Sequence, residues 1–276
     1  MSPDLSEPTA DPAGVGMGRT MRRWIVEQSL DSRVGHVGSA LSIVEIVAAL
    51  WGGVMRRPGT EDPERDRFIL GKGHAALALY AALRFQGVLG EEAFRSYCKD
   101  GSLLNVHPER DLAGVDASTG SLGQGLSLGC GIALGLRLKR LGGRVFVLLS
   151  DAECNEGQVW EAAFFASHQK LAAVQAIVDM NGLQALGRTK DVLEIADMAG
   201  LWRAAGWEVE TVDGHDVGAL RRALGLRPGA TSPRVILART VLGKGVSFME
   251  GRLEWHYRNL TRELAELALS EIGGGR

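Results

Sequence analysis

Residues 144–187, RVFVLLSDAECNEGQVWEAAFFASHQKLAAVQAIVDMNGLQALG, constrain the fold more than any other stretch of this chain. Residues 145–149 form a short apolar, β-branched run that stops at Ser150 and Asp151. Residues 174–178 form a second run that stops at Asp179, Met180 and Asn181. Between them, residues 156–168 place Val159, Ala162, Ala163 and Ala166 at helical spacing. A strand–helix–strand unit of this size makes its strands parallel, so both carboxyl ends share one edge of the sheet. Asp151 and Asn181 should then lie close together, where open α/β sheets bind ligands. A carboxylate and an amide oxygen suit a hard cation such as Mg²⁺, whose shell phosphate oxygens and water usually complete. The same two residues suit a plainer role equally well, because Asp and Asn after strands also cap helices and make turns.

The remaining pattern repeats this alternation. Helical spacing is read over residues 19–30, 43–51, 75–85, 126–140, 193–204 and 217–226, and strands over 67–70, 207–212 and 235–239. A Gly-rich connection, residues 32–42, joins the first two helices, residues 101–125 are largely irregular, and a polar helix closes the chain. The order predicts an α/β domain built on an open, mainly parallel sheet with helices on both faces. Residues 1–16, acidic and Pro-containing, are expected to be a flexible tail, and residues 17–276 one domain.

Composition narrows the function classes. A formal net charge of −2 gives no basic surface for nucleic acid. Charges interrupt every long apolar run, so no membrane span is expected. The start of the chain lacks the basic and apolar regions of a signal peptide, which makes the cytoplasm the expected compartment. Cys98, Cys130 and Cys154 lack the spacing of a zinc site or a disulfide framework.

Six histidines are present, and His36, His74, His107 and His256 fall beside Gly or Pro, or in loops that should reach the carboxyl edge of the sheet. His168 lies inside the central helix, as a packing or surface residue. A single loop histidine is commonly just solvated; four on one edge would be a set suited to proton transfer near neutral pH.

The segments RDRFILGKGHAALALYAAL, VHPERDLAGVDASTGSLGQGLSLGCGIALGLRLK and TVLGKGVSFMEGRLEWH resemble the amino-terminal half of transketolase, in the family's order. The opening stretch resembles its thiamine-diphosphate motif, GDG followed downstream by N. The match covers roughly residues 18–256 and implies a thiamine-diphosphate-binding fold, specifically its diphosphate-binding domain. By resemblance, Asp151, Asn181 and the backbone carbonyl of Leu183 would hold Mg²⁺, Ca²⁺ or Mn²⁺. His74 and His256 would lie by the diphosphate and reacting centre, with His36 and His107 on the sugar. Gly120, Leu122 and Gly123 match the loop past the thiamine rings, and Ala152 and Glu153 follow Asp151 in the cofactor motif. Glu156 matches a buried interface glutamate.

A complete transketolase resembling this chain would continue into a pyrimidine-binding domain and a third domain. The resemblance therefore implies one half of a split enzyme, active with a separately encoded C-terminal subunit. The expected assembly is α2β2, acting on ketose and aldehyde substrates in a specialised biosynthetic pathway. Gly123, Gly125, Gly129, Gly131 and Gly135 suit either that interface or internal packing. Three positions depart from the family pattern. Ser150 and Ala152 replace the glycines that flank Asp151, and Val37 replaces the proline after His36. The other readings are the α subunit of a 2-oxoacid dehydrogenase, a deoxyxylulose-phosphate synthase, and a non-catalytic paralogue that only binds a partner.

Overall fold

In the computed structural model, which describes residues 15–274, the elements run α1 (Val15–Ser32), α2 (Val37–Ser42), α3 (Val44–Ala49), β1 (Arg67–Leu70), α4 (Ala76–Phe85), α5 (Glu91–Arg95), α6 (Gln124–Leu138), β2 (Val145–Ser150), α7 (Gly157–His168) and β3 (Val174–Met180). They continue with β4 (Leu183–Gln184), β5 (Gly187–Arg188), α8 (Thr189–Val192), α9 (Met198–Ala204), β6 (Glu208–Asp213), α10 (Val217–Ala223), β7 (Arg234–Arg239) and α11 (Arg262–Gly274). Most of the expected tail, residues 1–16, lies outside the described residues; Val15 and Gly16 belong to α1.

The main sheet has five strands in the order β1-β2-β3-β7-β6, every pair parallel. Alternate side chains of each strand enter different cores. Phe68, Phe146, Leu148, Ile177 and Ile236 join a core with α1, α3, α4, α10 and α11. Ile69, Val145, Val147, Val178 and Val235 join a second core with α6, α7 and α9. Two covered faces explain why β2 reads as an unbroken apolar run rather than an alternating one. The expected α/β architecture is thus observed. No helix among the described residues is long and apolar enough to cross a membrane.

Three local expectations are corrected. The connection at residues 32–42 is helical from Val37, because the turn is made at His36, whose φ of 68° lies in the left-handed region. Val37 takes the first helical position and is buried. Residues 193–197 are not helical: Leu193 is extended, and α9 begins at Met198, where Asp197 accepts the Gly200 N–H at 2.7 Å. The short antiparallel pair β4–β5, with no periodicity to announce it, precedes that segment.

Candidate active site

The parallel register pairs Ser150 with Asp179, which brings the ends of β2 and β3 together. Asp151 donates its backbone N–H to the Asp179 carbonyl at 3.1 Å. Its carboxylate accepts the N–H groups of Ala152 at 2.8 Å and Gly182 at 2.7 Å. Asp151 does not cap α7, whose N-cap is Glu156, because a 3₁₀ turn over Glu153–Asn155 intervenes. Burial first, and then the like charge of Asp179, push the Asp151 carboxyl up to about 6. A bound cation would offset both effects.

Asn181 is oriented from behind. Its Nδ2 donates to Asp179 at 2.8 Å, and its Oδ1 accepts the Leu183 N–H at 2.9 Å. An amide oxygen has a second lone pair, so a site for an ion remains. Asp179 is fully buried and also accepts Ser42 Oγ at 2.8 Å, the Thr240 hydroxyl and the Lys72 ammonium. Burial opposes the charge on Asp179, but Lys72 and these hydrogen bonds outweigh it and hold the carboxyl below its ordinary value. Sequence reasoning missed the Lys72–Asp179 pair, for which the lysine in GKGH is the only signal.

Above this edge lies a cleft of about 490 Å³. The four loop histidines, His36, His74, His107 and His256, all line it. So do Gly120, Leu122, Ala152, Asn181 and Leu183. The rings of His36 and His74 are 5.1 Å apart, and the His36 N–H donates to the His256 carbonyl at 2.9 Å. His107 is set by Tyr80, whose hydroxyl donates to the carbonyls of Asn105 at 3.0 Å and His107 at 3.2 Å. Gly120, at φ 146°, lets the loop pass against this ring: a Cβ there would meet His107 Cδ2 at 2.9 Å.

Burial first, and then neighbouring positive charge, lowers His36, His74 and His256, the last to about 4. This lowering favours the neutral form of these imidazoles. His36 Nδ1, His256 Nδ1 and Ser39 Oγ are buried without hydrogen-bond partners, and all three residues line the cleft. Buried polar atoms of this kind can be met by an ordered water or by a polar ligand. Ser39 and the rim residue Tyr257 carry no sequence signal that singles them out.

Gly123, Asp151 and Glu153 stand in the wall behind the cleft rather than lining it. Glu153 is fully buried and accepts the Gly123 N–H at 2.9 Å. Burial pushes its carboxyl up to about 7. Glu153 therefore shapes the turn rather than facing a ligand. The two departures around Asp151 are accommodated. Ser150 Oγ accepts the Glu153 N–H at 3.0 Å, and Ala152 has φ −61°, so its methyl group carries no backbone strain.

Among the described residues no three His, Cys, Asp or Glu side chains gather as a metal centre. An ion here would need oxygens from Asn181, a carbonyl and its ligand. Residues 16–273 match the family described as transketolase, thiamine diphosphate binding domain. The 6-deoxy-6-sulfo-D-fructose transketolase subunit SqwG of Clostridium sp. (strain MSTE9) is 38% identical over 258 residues, covering 91% of this chain and 93% of that one. One of the subunits of an apulose-4-phosphate transketolase from Actinobacillus succinogenes is 36% identical over 259 residues, covering 92% and 94%. Among solved structures, the transketolase of Campylobacter jejuni superposes with a TM-score of 0.85 at 26% identity, covering 95% of this chain but 42% of that one. The chain thus spans less than half of that longer protein and nearly all of the two shorter relatives. A matched family over almost every described residue, with the same fold, places this chain in the transketolase family as its thiamine diphosphate binding domain.

Proposed function

We propose that this chain is the cofactor-binding subunit of a two-chain transketolase, moving a two-carbon ketol unit from a ketose donor to an aldehyde acceptor. The observation that carries the reading is the convergence of four histidines on one cleft above the Asp151–Asn181 edge. Asp151, Asn181 Oδ1 and the Leu183 carbonyl would hold Mg²⁺ or a similar ion, and the unpartnered Ser39, His36 and His256 atoms would receive polar groups of the cofactor and substrate. Thiamine diphosphate, when bound, supplies the nucleophilic thiazolium carbon. The histidines take a proton from the donor hydroxyl and return one to the acceptor carbonyl, which their neutral state permits. Closely similar relatives are named for a sulfofructose and for apulose 4-phosphate, which supports a ketose donor outside the ordinary pentose and hexose phosphates.

The partner would be a separate chain with a pyrimidine-binding domain. Phe164 and Phe165 of α7 and Leu138 of α6 stand exposed on two adjoining helices, a face that an assembly would cover. Glu156, exposed in the isolated chain, lies at the opposite end of α7, where it lines the cleft. Free Cys98, Cys130 and Cys154 support a reducing, cytoplasmic setting. The test is reconstitution: ketol transfer should be absent with this chain alone and appear when the partner subunit, thiamine diphosphate and Mg²⁺ are supplied. Full turnover by the purified single chain would overturn the reading.

A further inference from the structure

Outside the cleft, the partly buried side chains of Arg22, Glu45 and His215 form a cluster with no role in the chemistry above. Glu45 of α3 binds Arg22 of α1, with Nη2 at 2.6 Å from Oε2. The same Oε2 lies 2.9 Å from Nδ1 of His215, in the turn after β6. Side-chain exposures of 12%, 12% and 15% for Arg22, Glu45 and His215 keep the cluster largely out of water. Burial opposes the charge on Glu45, but the His215 hydrogen bond and Arg22 outweigh it and hold the carboxyl at about 2.

Two further side-chain hydrogen bonds of the cluster run to the backbone of one loop. His215 Nε2 accepts the Val241 N–H at 2.9 Å, and Arg22 Nε donates to the Lys244 carbonyl at 3.0 Å. Because Nε2 accepts, the imidazole proton sits on Nδ1, facing Glu45. Gly245, at φ 90°, brings the loop against Arg22, where a Cβ would stand 2.8 Å from Nε. The loop begins at Thr240, which binds Asp179, and ends at His256 in the cleft. Its front is clamped to α2: Gly243 N–H donates to the Gly38 carbonyl at 3.0 Å, and Gly38 lies against the Trp255 carbonyl.

We propose that His215 is a positioning residue: with Glu45 and Arg22 behind it, it fixes the backbone at Val241 and Lys244 and so sets His256 and the His36 turn in the cleft. The geometry supports this because the loop holds to α2 on one side and to the cluster on the other. Removing the cluster leaves the α2 clamp, the Thr240–Asp179 bond and the Ser247 bonds to Glu271 of α11, so the stretch from Val241 to Lys244 should loosen while the sheet stays intact. The inference rests on the transketolase reading for its catalytic consequence but not for its structural one.

The test compares His215→Leu, which loses both bonds, with His215→Gln, which keeps an acceptor for Val241 and a donor for Glu45. In the full chain, hydrogen exchange over residues 241–257 should quicken about tenfold in His215→Leu, the loss expected for one or two net hydrogen bonds, with β2 and β3 unchanged. His215→Gln should stay within about twofold of the parent, since its amide can make both contacts. With the partner subunit present, kcat of His215→Leu should fall by about tenfold while the donor KM moves less than about twofold, the pattern of a displaced proton-transfer group. Glu45→Gln, which keeps the shape of the cluster, provides a second variant should His215→Leu fold poorly, and the same loop should loosen. Unchanged exchange in the loop, or equal loss of protection across the whole sheet, would overturn the proposal. If the parent mixture shows no ketol transfer, the functional reading fails, and the exchange data still decide the positioning role.

Discussion

Replacing Lys72 with methionine isolates the interaction on which the carboxyl edge depends. The stem keeps its length and only the ammonium is lost. Lys72 is 1% and Asp179 0% exposed, so the pair is held out of bulk water. Asp179 would retain Ser42 and Asn181, each at 2.8 Å, and the Thr240 hydroxyl, but a carboxylate bonded only to neutral donors remains poorly compensated. A lost hydrogen bond alone costs about 1 kcal/mol, and removing one partner of a buried ion pair about 3–5 kcal/mol; the second figure governs here. Without Lys72, burial becomes the dominant influence on Asp179, and its carboxyl rises above the ordinary value. A raised carboxyl favours the protonated folded state, so the variant regains stability as pH falls through that raised value. Its deficit relative to the parent should therefore be smaller near about pH 5 than near about pH 8. Urea unfolding of the parent, Lys72→Met, Asp179→Asn and the double variant at both pH values provides the assay. The double variant should cost at least about 2 kcal/mol less than the sum of the singles. Costs that add within about 0.5 kcal/mol would refute the reasoning, as would a Lys72→Met penalty independent of pH.

Four further outcomes follow from particular residues. His74→Ala and His107→Ala, assayed with saturating partner and cofactor, should each lose roughly 100- to 10,000-fold in turnover while unfolding near the parent's midpoint; full turnover in either would remove that histidine from proton transfer. Gly129→Ala should destabilise the isolated chain by about 1–3 kcal/mol, because its Cβ would stand 2.5 Å from Val147 Cγ2. Gly135→Ala, with nothing within 4 Å of its Cβ, should instead stabilise the chain by up to about 1 kcal/mol but weaken association with the partner, as sedimentation would show. The Glu45 carboxyl, held at about 2 against an ordinary 4.5, contributes stability that is complete above the higher value and lost as pH falls to the lower. That contribution is on the order of 3 kcal/mol, so acid unfolding of Glu45→Gln should show a correspondingly shallower fall over the same range.

Much of the architecture was legible because it depends on local period. The apolar runs ending at Asp151 and Asn181 fixed two parallel strands, and parallel strands fixed a shared edge. The convergence of His36, His74, His107 and His256 was less accessible to local pattern, and family resemblance carried it. What escaped the sequence depends on contacts between distant segments. Nothing near Lys72 indicates that its charge ends on Asp179, and nothing near Glu153 indicates that its carboxylate turns inward to Gly123. The α2 helix was hidden because its boundary is a backbone turn at His36 rather than a change in composition. The glycines divided in a way that spacing alone could not show. Gly123, Gly125 and Gly129 meet the chain's own atoms, whereas Gly131 and Gly135 face open space. That Asp151 does not cap α7 follows from the 3₁₀ turn between them, which the sequence does not announce.

If the cleft at the carboxyl edge holds a thiamine diphosphate–metal complex, anomalous diffraction will locate its ion. Crystals of this chain with its partner subunit, thiamine diphosphate and Mn²⁺ should give one Mn²⁺ peak bonded to Asp151, Asn181 and the Leu183 carbonyl, absent in Asp151→Ala. A cofactor bound with Mn²⁺ elsewhere, or an Asp151→Ala variant that keeps the peak, would contradict the account.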